Sequence, residues 1–289
     1  MRVIVHGGAG GDPDEPEARH AVLEEAAETG AAADSPLDAV EAAVAVLEDH
    51  PWFNAGVGGT VQTDGTIRTD AGLMNDHREV GAVCSLEGVA NAVGAARVVL
   101  EETPHVLLAG EHAVDLAGEF GIETGVDLWT ERYSQKWADV DPPTDAGTAE
   151  QLDWLREHVG GFDTVGAVAI DTRGNPGPQV AAATSTGGRW LSLAGRVGDV
   201  PQVGSGFFAT SAGGASATGV GEDIVRTLLS RRAVSLLADG LSGQAAADRA
   251  LAEFEDLTGS TAGLVVMDAD GDAGSAFNST EMQTAVARE

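Results

Sequence analysis

The chain holds a single cysteine, Cys84, and a single lysine, Lys136, among its 289 residues. One thiol excludes an intrachain disulfide, a thiolate zinc cluster and a redox pair. Aromatic residues make up only 4% of the chain, whereas glycine occurs 39 times and hydrophobic residues reach 43%. The expected core is therefore Val, Ala and Leu with close backbone approaches. No apolar run is long enough for a membrane helix, and MRVIVHGGAG leads straight into a short strand and a glycine turn, so the chain reads as cytoplasmic. Basic residues are also scarce, 16 against 46 acidic ones, for a formal charge of −30. Such a field excludes nucleic acid and anionic membranes as expected partners. The acids are spread along the chain instead of forming a tail. Because the Debye length shrinks to roughly 3 Å at 1 M salt, the surface reads as adapted to a saline cytosol.

What is present is a regular alternation of elements. Arg2 to His6 reads as a buried strand, and Gly7 to Gly10 as a tight turn. Glu17–Thr29 and Ser35–His50 read as helices, the second with Ser35 as N-cap, Pro36 at the first helical position and a stripe of Leu37, Val40, Val44 and Leu47. Thr60–Thr63 and Thr66–Thr69 flank Asp64-Gly65, which predicts a two-residue hairpin. A strand over Val80–Leu86 and helices over Ala90–Glu101 and Glu111–Phe120 follow. Residues 130–161 carry Lys136, Pro142, Pro143 and many acids, and read as a connector with one helical piece over Ala149–His158. Thr164–Asp171 and Gln179–Ser185 then read as strands around the turn-rich 172–178, with Val203–Thr210 continuing the sheet. Helices over Glu222–Ala238 and Gly243–Leu257, a strand over Ala262–Asp268 and a last hairpin ending at Asn278 complete the pattern. Strands at both ends of both halves, with helices between, favour sheets packed face to face and covered by helices over a βαβ wheel.

The glycine turn after the first strand lacks a following Gly-Lys-Ser/Thr, and Asp12, Asp14, Glu15 and Glu17 crowd the place of a pyrophosphate. It therefore reads as a structural turn, and His6 as a hydrogen-bonded core histidine. By the residues alone Thr164 is an ordinary strand residue, Thr184–Gly188 a turn, and Arg196 with Asp199 a surface pair.

A set of strings alters that reading. HGGAG, LDAVEAAVAVLEDHPWFNAGVG, ETPHVLLAGEHA, DTVGAVAID, AAATSTGG, GRVGD, ATGVGEDIVR and FNST occur in one order along nearly the whole chain, apart from 130–161. In this the chain resembles the plant-type L-asparaginases and isoaspartyl peptidases, relatives of glycosylasparaginase. The resemblance implies an α+β fold, the four-layer αββα sandwich of N-terminal-nucleophile (Ntn) hydrolases. It implies self-cleavage between Asp163 and Thr164, giving an α subunit 1–163, whose tail is the variable connector, and a β subunit 164–289. Thr164 would then hold both a nucleophilic hydroxyl and, as base, a free α-amino group with an intrinsic pKa of roughly 7.7–8.0. By the same resemblance Thr186 orients the nucleophile, Asn54 supports it and the cleavage, and Thr218 with the Gly219 N–H stabilises the oxyanion. Arg196 and Asp199 grip the substrate's carboxylate and ammonium, with help from Gly221. Main-chain oxygens of Leu47, Glu48, His50, Phe53, Ala55 and Val57 would hold a structural Na+ or K+, and no other cofactor is implied. The implied substrates are L-asparagine and isoaspartyl dipeptides, and the implied assembly is a dimer of αβ heterodimers.

Two departures bear on the pocket. RWLSLA, with Arg189, Trp190, Leu191 and Ser192, stands where the family carries a short polar stretch with a lysine, and Val200 replaces a serine. A glycosylated asparagine as substrate, or an uncut binding protein without activity, are the alternatives to the leading reading.

Overall fold

The computed structural model describes residues 1–289 apart from 141, 144, 145, 162 and 174–176, so part of the predicted turn 172–178 lies outside the described residues. The chain opens with β1 (Arg2–Gly10), which extends through the predicted glycine turn, followed by α1 (Pro16–Ala31) and α2 (Pro36–Glu48). Ser35 caps α2 as its sequence requires: the hydroxyl accepts from the Asp38 N–H at 3.2 Å. A short 3₁₀ turn (Gly56–Gly58) leads to β2 (Arg68–Asn75), β3 (Val80–Glu87), α3 (Ala92–Glu102), β4 (Leu107–Ala109) and α4 (Gly110–Glu119). The connector carries α5 (Glu131–Ala138) and α6 (Thr148–His158). Beyond it lie β5 (Val165–Asp171), β6 (Gln179–Thr186), β7 (Phe207–Thr210), β8 (Gly213–Gly219), α7 (Gly221–Thr227), α8 (Leu229–Ala238), α9 (Gly243–Thr258), β9 (Ala262–Asp268), β10 (Ala273–Phe277) and β11 (Glu281–Arg288).

The strands form a seven-stranded sheet, β11-β1-β5-β6-β2-β3-β4, and a four-stranded sheet, β10-β9-β8-β7. Three apolar clusters make four layers of them. Leu23, Val40, Val44 and Leu47 of the first helices pack with Val165, Ala167, Ala181 and Ala183 on the outer face of the large sheet. Val168, Ile170, Val180 and Ala182 of its inner face meet Phe207, Ala209, Val265 and Met267 of the small sheet. Val234, Leu237, Ala250 and Phe254 of α8 and α9 cover Ala215, Ala217, Leu264 and Val266 on the far side. This is the αββα sandwich.

Strand periodicity then decides where the polar residues go. On β5 and β6 the odd-numbered residues pack under the helices and the even-numbered ones face the other sheet, so Thr164, Thr184 and Thr186 fall on the inter-sheet side. On β8 the odd-numbered Ala215 and Ala217 pack under α8 and α9, which turns Ser216 and Thr218 toward the same space. The predicted nucleophile and its hydroxyl partners thus share one layer.

Several elements differ from the sequence expectations, each for a tertiary reason. The hairpin over 60–69 is reduced to one bridge, Val61 to Ile67, because Val61 O accepts from Leu191 N at 2.8 Å and Thr63 N donates to Ser192 O at 2.9 Å. The helix expected over 222–238 breaks at Leu228 (φ 52°), where Ser230 N and Arg231 N donate to the carbonyls of Ser205 and Gly204 instead of to their own helix. Val203–Thr210 contributes only β7, and to the small sheet. β8, of sequence GGASATG, is a strand by burial between β7 and β9 and not by propensity. The predicted hairpin around Asp270-Gly271 forms as β9 and β10, but a further strand follows it: β11 pairs with β1 at the edge of the large sheet, its polar alternation masking the strand. The connector is not bare, since Tyr133 and Trp137 of α5 pack against Trp190 and Leu191. Among the described residues no helix is long and apolar enough to cross a membrane.

Candidate active site

Thr164 immediately precedes β5 and is only 4% exposed. The carbonyl of Asp163 receives two hydrogen bonds, from Asn54 Nδ2 at 2.8 Å and from Thr186 Oγ1 at 3.0 Å. Both donors are themselves held. Asn54 spends its second amide proton on Gly188 O at 2.6 Å, and Thr186 Oγ1 accepts from Gly188 N at 3.1 Å. Asn54 sits after α2 and Thr186 ends β6, so the Asp163 carbonyl is pinned between the two ends of one helix-on-strand unit. Burial raises the Asp163 carboxyl to about 6, against the opposing pull of Arg19 and Arg132.

Behind Thr164, His6 bonds Ser216 Oγ through Nε2 at 2.8 Å and faces the Thr164 backbone. Burial lowers it to about 3, so the ring is neutral and acts as a fixed wall. This is the core role its sequence predicts.

Thr218 and Gly219 end β8. The Thr218 hydroxyl accepts from Ala9 N at 3.3 Å, which leaves its proton free to donate. Gly219 has φ +137°, and a Cβ there would lie 2.5 Å from Thr261 O, so no other residue fits.

Arg196 and Asp199 converge on Gly221. A Cβ at Gly221 would lie 2.6 Å from Asp199 Oδ1 and 2.8 Å from Arg196 Nη2, so the glycine keeps a gap between an acid and a base. The surface pair predicted from the residues alone is not formed. Asp199 is 3% exposed with Oδ2 unpaired among the described residues, and Arg196 forks onto Glu222, Nε to Oε1 at 2.9 Å and Nη2 to Oε2 at 3.1 Å. Burial raises Asp199 to about 7 despite Arg196.

Three residues absent from the sequence reading complete the setting. Asp70, buried opposite Thr186 in the β2–β6 ladder, is also raised to about 7 by burial and senses Arg196. Its signal was an acid inside the apolar run RTDAGLM. Glu222 carries no local mark that it would hold Arg196. Gln62 accepts from Gly195 N at 2.8 Å and donates to Arg196 O at 3.3 Å, fixing the loop that bears the arginine.

Comparison with known proteins shows the family of the chain. The Asparaginase_2 (asparaginase) family profile matches residues 1–289. The plant-type L-asparaginase of Pyrococcus horikoshii is 38% identical over 301 residues, covering 100% of this chain and 97% of its own. That of Pyrobaculum calidifontis is 42% identical over 291 residues, covering 97% and 94%. The isoaspartyl peptidase/L-asparaginase of Macaca fascicularis is 37% identical over 297 residues, covering 99% and 92%. With a match from the first residue to the last, this chain belongs to the asparaginase family.

Proposed function

We infer that the chain cuts itself between Asp163 and Thr164, and that the freed Thr164 hydrolyses L-asparagine to L-aspartate and ammonia and splits β-aspartyl dipeptides. The observation that carries this reading is the pair of donors, Asn54 Nδ2 and Thr186 Oγ1, on the carbonyl of Asp163. Attack by the Thr164 hydroxyl on that carbon would make an oxyanion where those donors already point. Each such donor is worth on the order of 10²–10³ in rate. Collapse moves the acyl group from nitrogen to oxygen, the nitrogen takes up the hydroxyl proton, and water hydrolyses the ester. The products are a carboxylate on Asp163 and an N-terminal threonine.

That threonine then repeats the attack on a substrate amide. Its α-amine accepts the hydroxyl proton and passes it to the departing nitrogen, and water releases aspartate from the β-aspartyl ester. Thr218 Oγ1 and Gly219 N are the proposed oxyanion donors, and Arg196, Asp199 and Gly221 the grip on the α-carboxylate and α-ammonium. The proposed α subunit 1–163 and β subunit 164–289 stay one domain, since β1 of the first lies between β11 and β5 of the second.

The loop 47–57 is the proposed seat of a Na+ or K+. The carbonyls of His50, Phe53 and Ala55 each accept one backbone N–H and keep a second lone pair, and neutral oxygens, with those of Leu47, Glu48 and Val57, suit a hard monovalent ion. A dimer of αβ units, a saline interior and a cytoplasmic location complete the proposal, the second on the charge of −30.

Intact mass and N-terminal sequencing after incubation in concentrated KCl test the cleavage. Two fragments, the second starting TVGAV, are expected. A Thr164→Ala chain that still splits there, or full asparagine hydrolysis by an uncut chain, would sink it.

A further inference from the structure

A cavity of about 250 Å³ opens beside the scissile bond and is lined by Arg19, Arg132, Asn54 and Asp163, among others. It shares no lining residue with the Arg196, Asp199 and Gly221 group. Arg19 is held rigidly: it donates to Gly7 O, and its guanidinium lies 4.7 Å over the Phe53 ring. Arg132 rises from α5 of the connector, beside Tyr133. Among the described residues neither arginine is in an ion pair, in a chain where acids outnumber bases 46 to 16. Their charges do reach Asp163, whose carboxyl they oppose in its rise.

The direction of departure of the leaving group follows from the proposed chemistry. Cleavage replaces the bond from Asp163 to the Thr164 nitrogen by an N–H, so the new amine faces the space Asp163 filled. That amine hands its proton to the leaving nitrogen, and the leaving group therefore exits into the space from which the Asp163 segment withdraws. Ammonia carries nothing further. The leaving residue of a β-aspartyl dipeptide ends in a free α-carboxylate, which a guanidinium fork matches.

We propose that Arg19 and Arg132 form a leaving-group subsite for the free α-carboxylate of the second residue of a β-aspartyl dipeptide, the place Asp163 fills in the uncut chain. Asp12 and Asp14 border the same cavity and bias it against a second anion, so a neutral leaving residue fits better than an acidic one. This inference rests on the functional reading above.

The test compares asparagine, β-aspartyl-leucine and β-aspartyl-leucine amide on cut protein, normalised to the cut fraction by mass. Wild type should favour the free acid over the amide. Arg132→Gln, on an exposed residue, should raise KM for the free acid about five- to tenfold and leave kcat near its value, without a matching loss on the amide. Arg19→Gln should do the same, and Arg19→Lys should restore part of the preference. Free acid and amide handled alike by an asparagine-hydrolysing wild type would overturn the subsite alone, as would variants that lose all three substrates equally. Protein that turns over neither asparagine nor dipeptide overturns the functional reading and the subsite with it.

Discussion

The two sides of Thr164 are built from different chemistry. On its N-terminal side the Asp163 carbonyl meets neutral donors whose protons are all in use, the second Asn54 amide proton on Gly188 O and the Thr186 hydroxyl proton on the carbonyl itself. On the side of the proposed substrate grip the groups are titratable: Asp199 is buried, with no hydrogen-bond partner for Oδ2 among the described residues, and the half-buried Arg196 forks onto Glu222. Neutral donors already in contact suit a reaction whose substrate is the chain itself. Buried charges with spare valence suit a charged molecule that arrives later, because an unpaired buried ion costs several kcal/mol until a counter-charge reaches it.

The largest effect that can break this contrast is Thr164→Ala. It should leave a single full-length mass and lower asparagine hydrolysis by at least about a thousandfold, read by ammonia release. Asn54→Ala or Thr186→Val should slow the cut by on the order of 10²–10³, followed on a denaturing gel over time. Next in size, Asp199→Asn or Arg196→Gln should leave the cut rate within about twofold while raising KM for asparagine on the order of tenfold to a hundredfold. If these two also block the cut, the two sides are one machine.

The charged side also sets a pH dependence. Asp199 sits near 7 through burial, and the proposed hold on an ammonium requires it ionised, so kcat/KM for asparagine should rise as pH passes through about 7. An Asp199→Asn variant should lose that limb. The smallest effect concerns Glu48, fully buried, taking bonds from Ser185 Oγ and from Val93 N at 3.0 Å, and raised by burial to about 8. Its folded pKa lies above its unfolded value near 4.5, so the folded state binds the extra proton between the two. Stability from this group is therefore lost as pH rises through that window. Glu48→Gln should raise Tm by roughly 2–4 °C at pH 9, about 1 kcal/mol, and change little at pH 4.

The proposed site was legible only through the resemblance carried by short strings at strand ends, since by the residues alone Thr164 is an ordinary strand residue. The cap Ser35, the stripe on α2 and the strands β5 and β6 follow from periodicity that tertiary packing does not oppose. The Asp64-Gly65 turn shows the opposite case: a sound hairpin signal loses because residues 190–192 offer Val61 and Thr63 better partners. Glu48 on Ser185, His6 on Ser216 and Arg196 on Glu222 join residues 137, 210 and 26 positions apart, and no local pattern announces such pairs.

Sequence by itself determined the Asp163-Thr164 pair, the acidic surface, the small-residue core and the order of most elements. Those follow from composition, caps and side-chain periods, which act within a few residues. Tertiary structure alone decided that Thr164, Thr186 and Thr218 share the inter-sheet layer, that Asp163 O lies between Asn54 and Thr186, and that Asp199 is buried beside Gly221 instead of paired at the surface. Each of these depends on how two sheets stack and which loop reaches a strand end, and that is settled by packing over the whole chain.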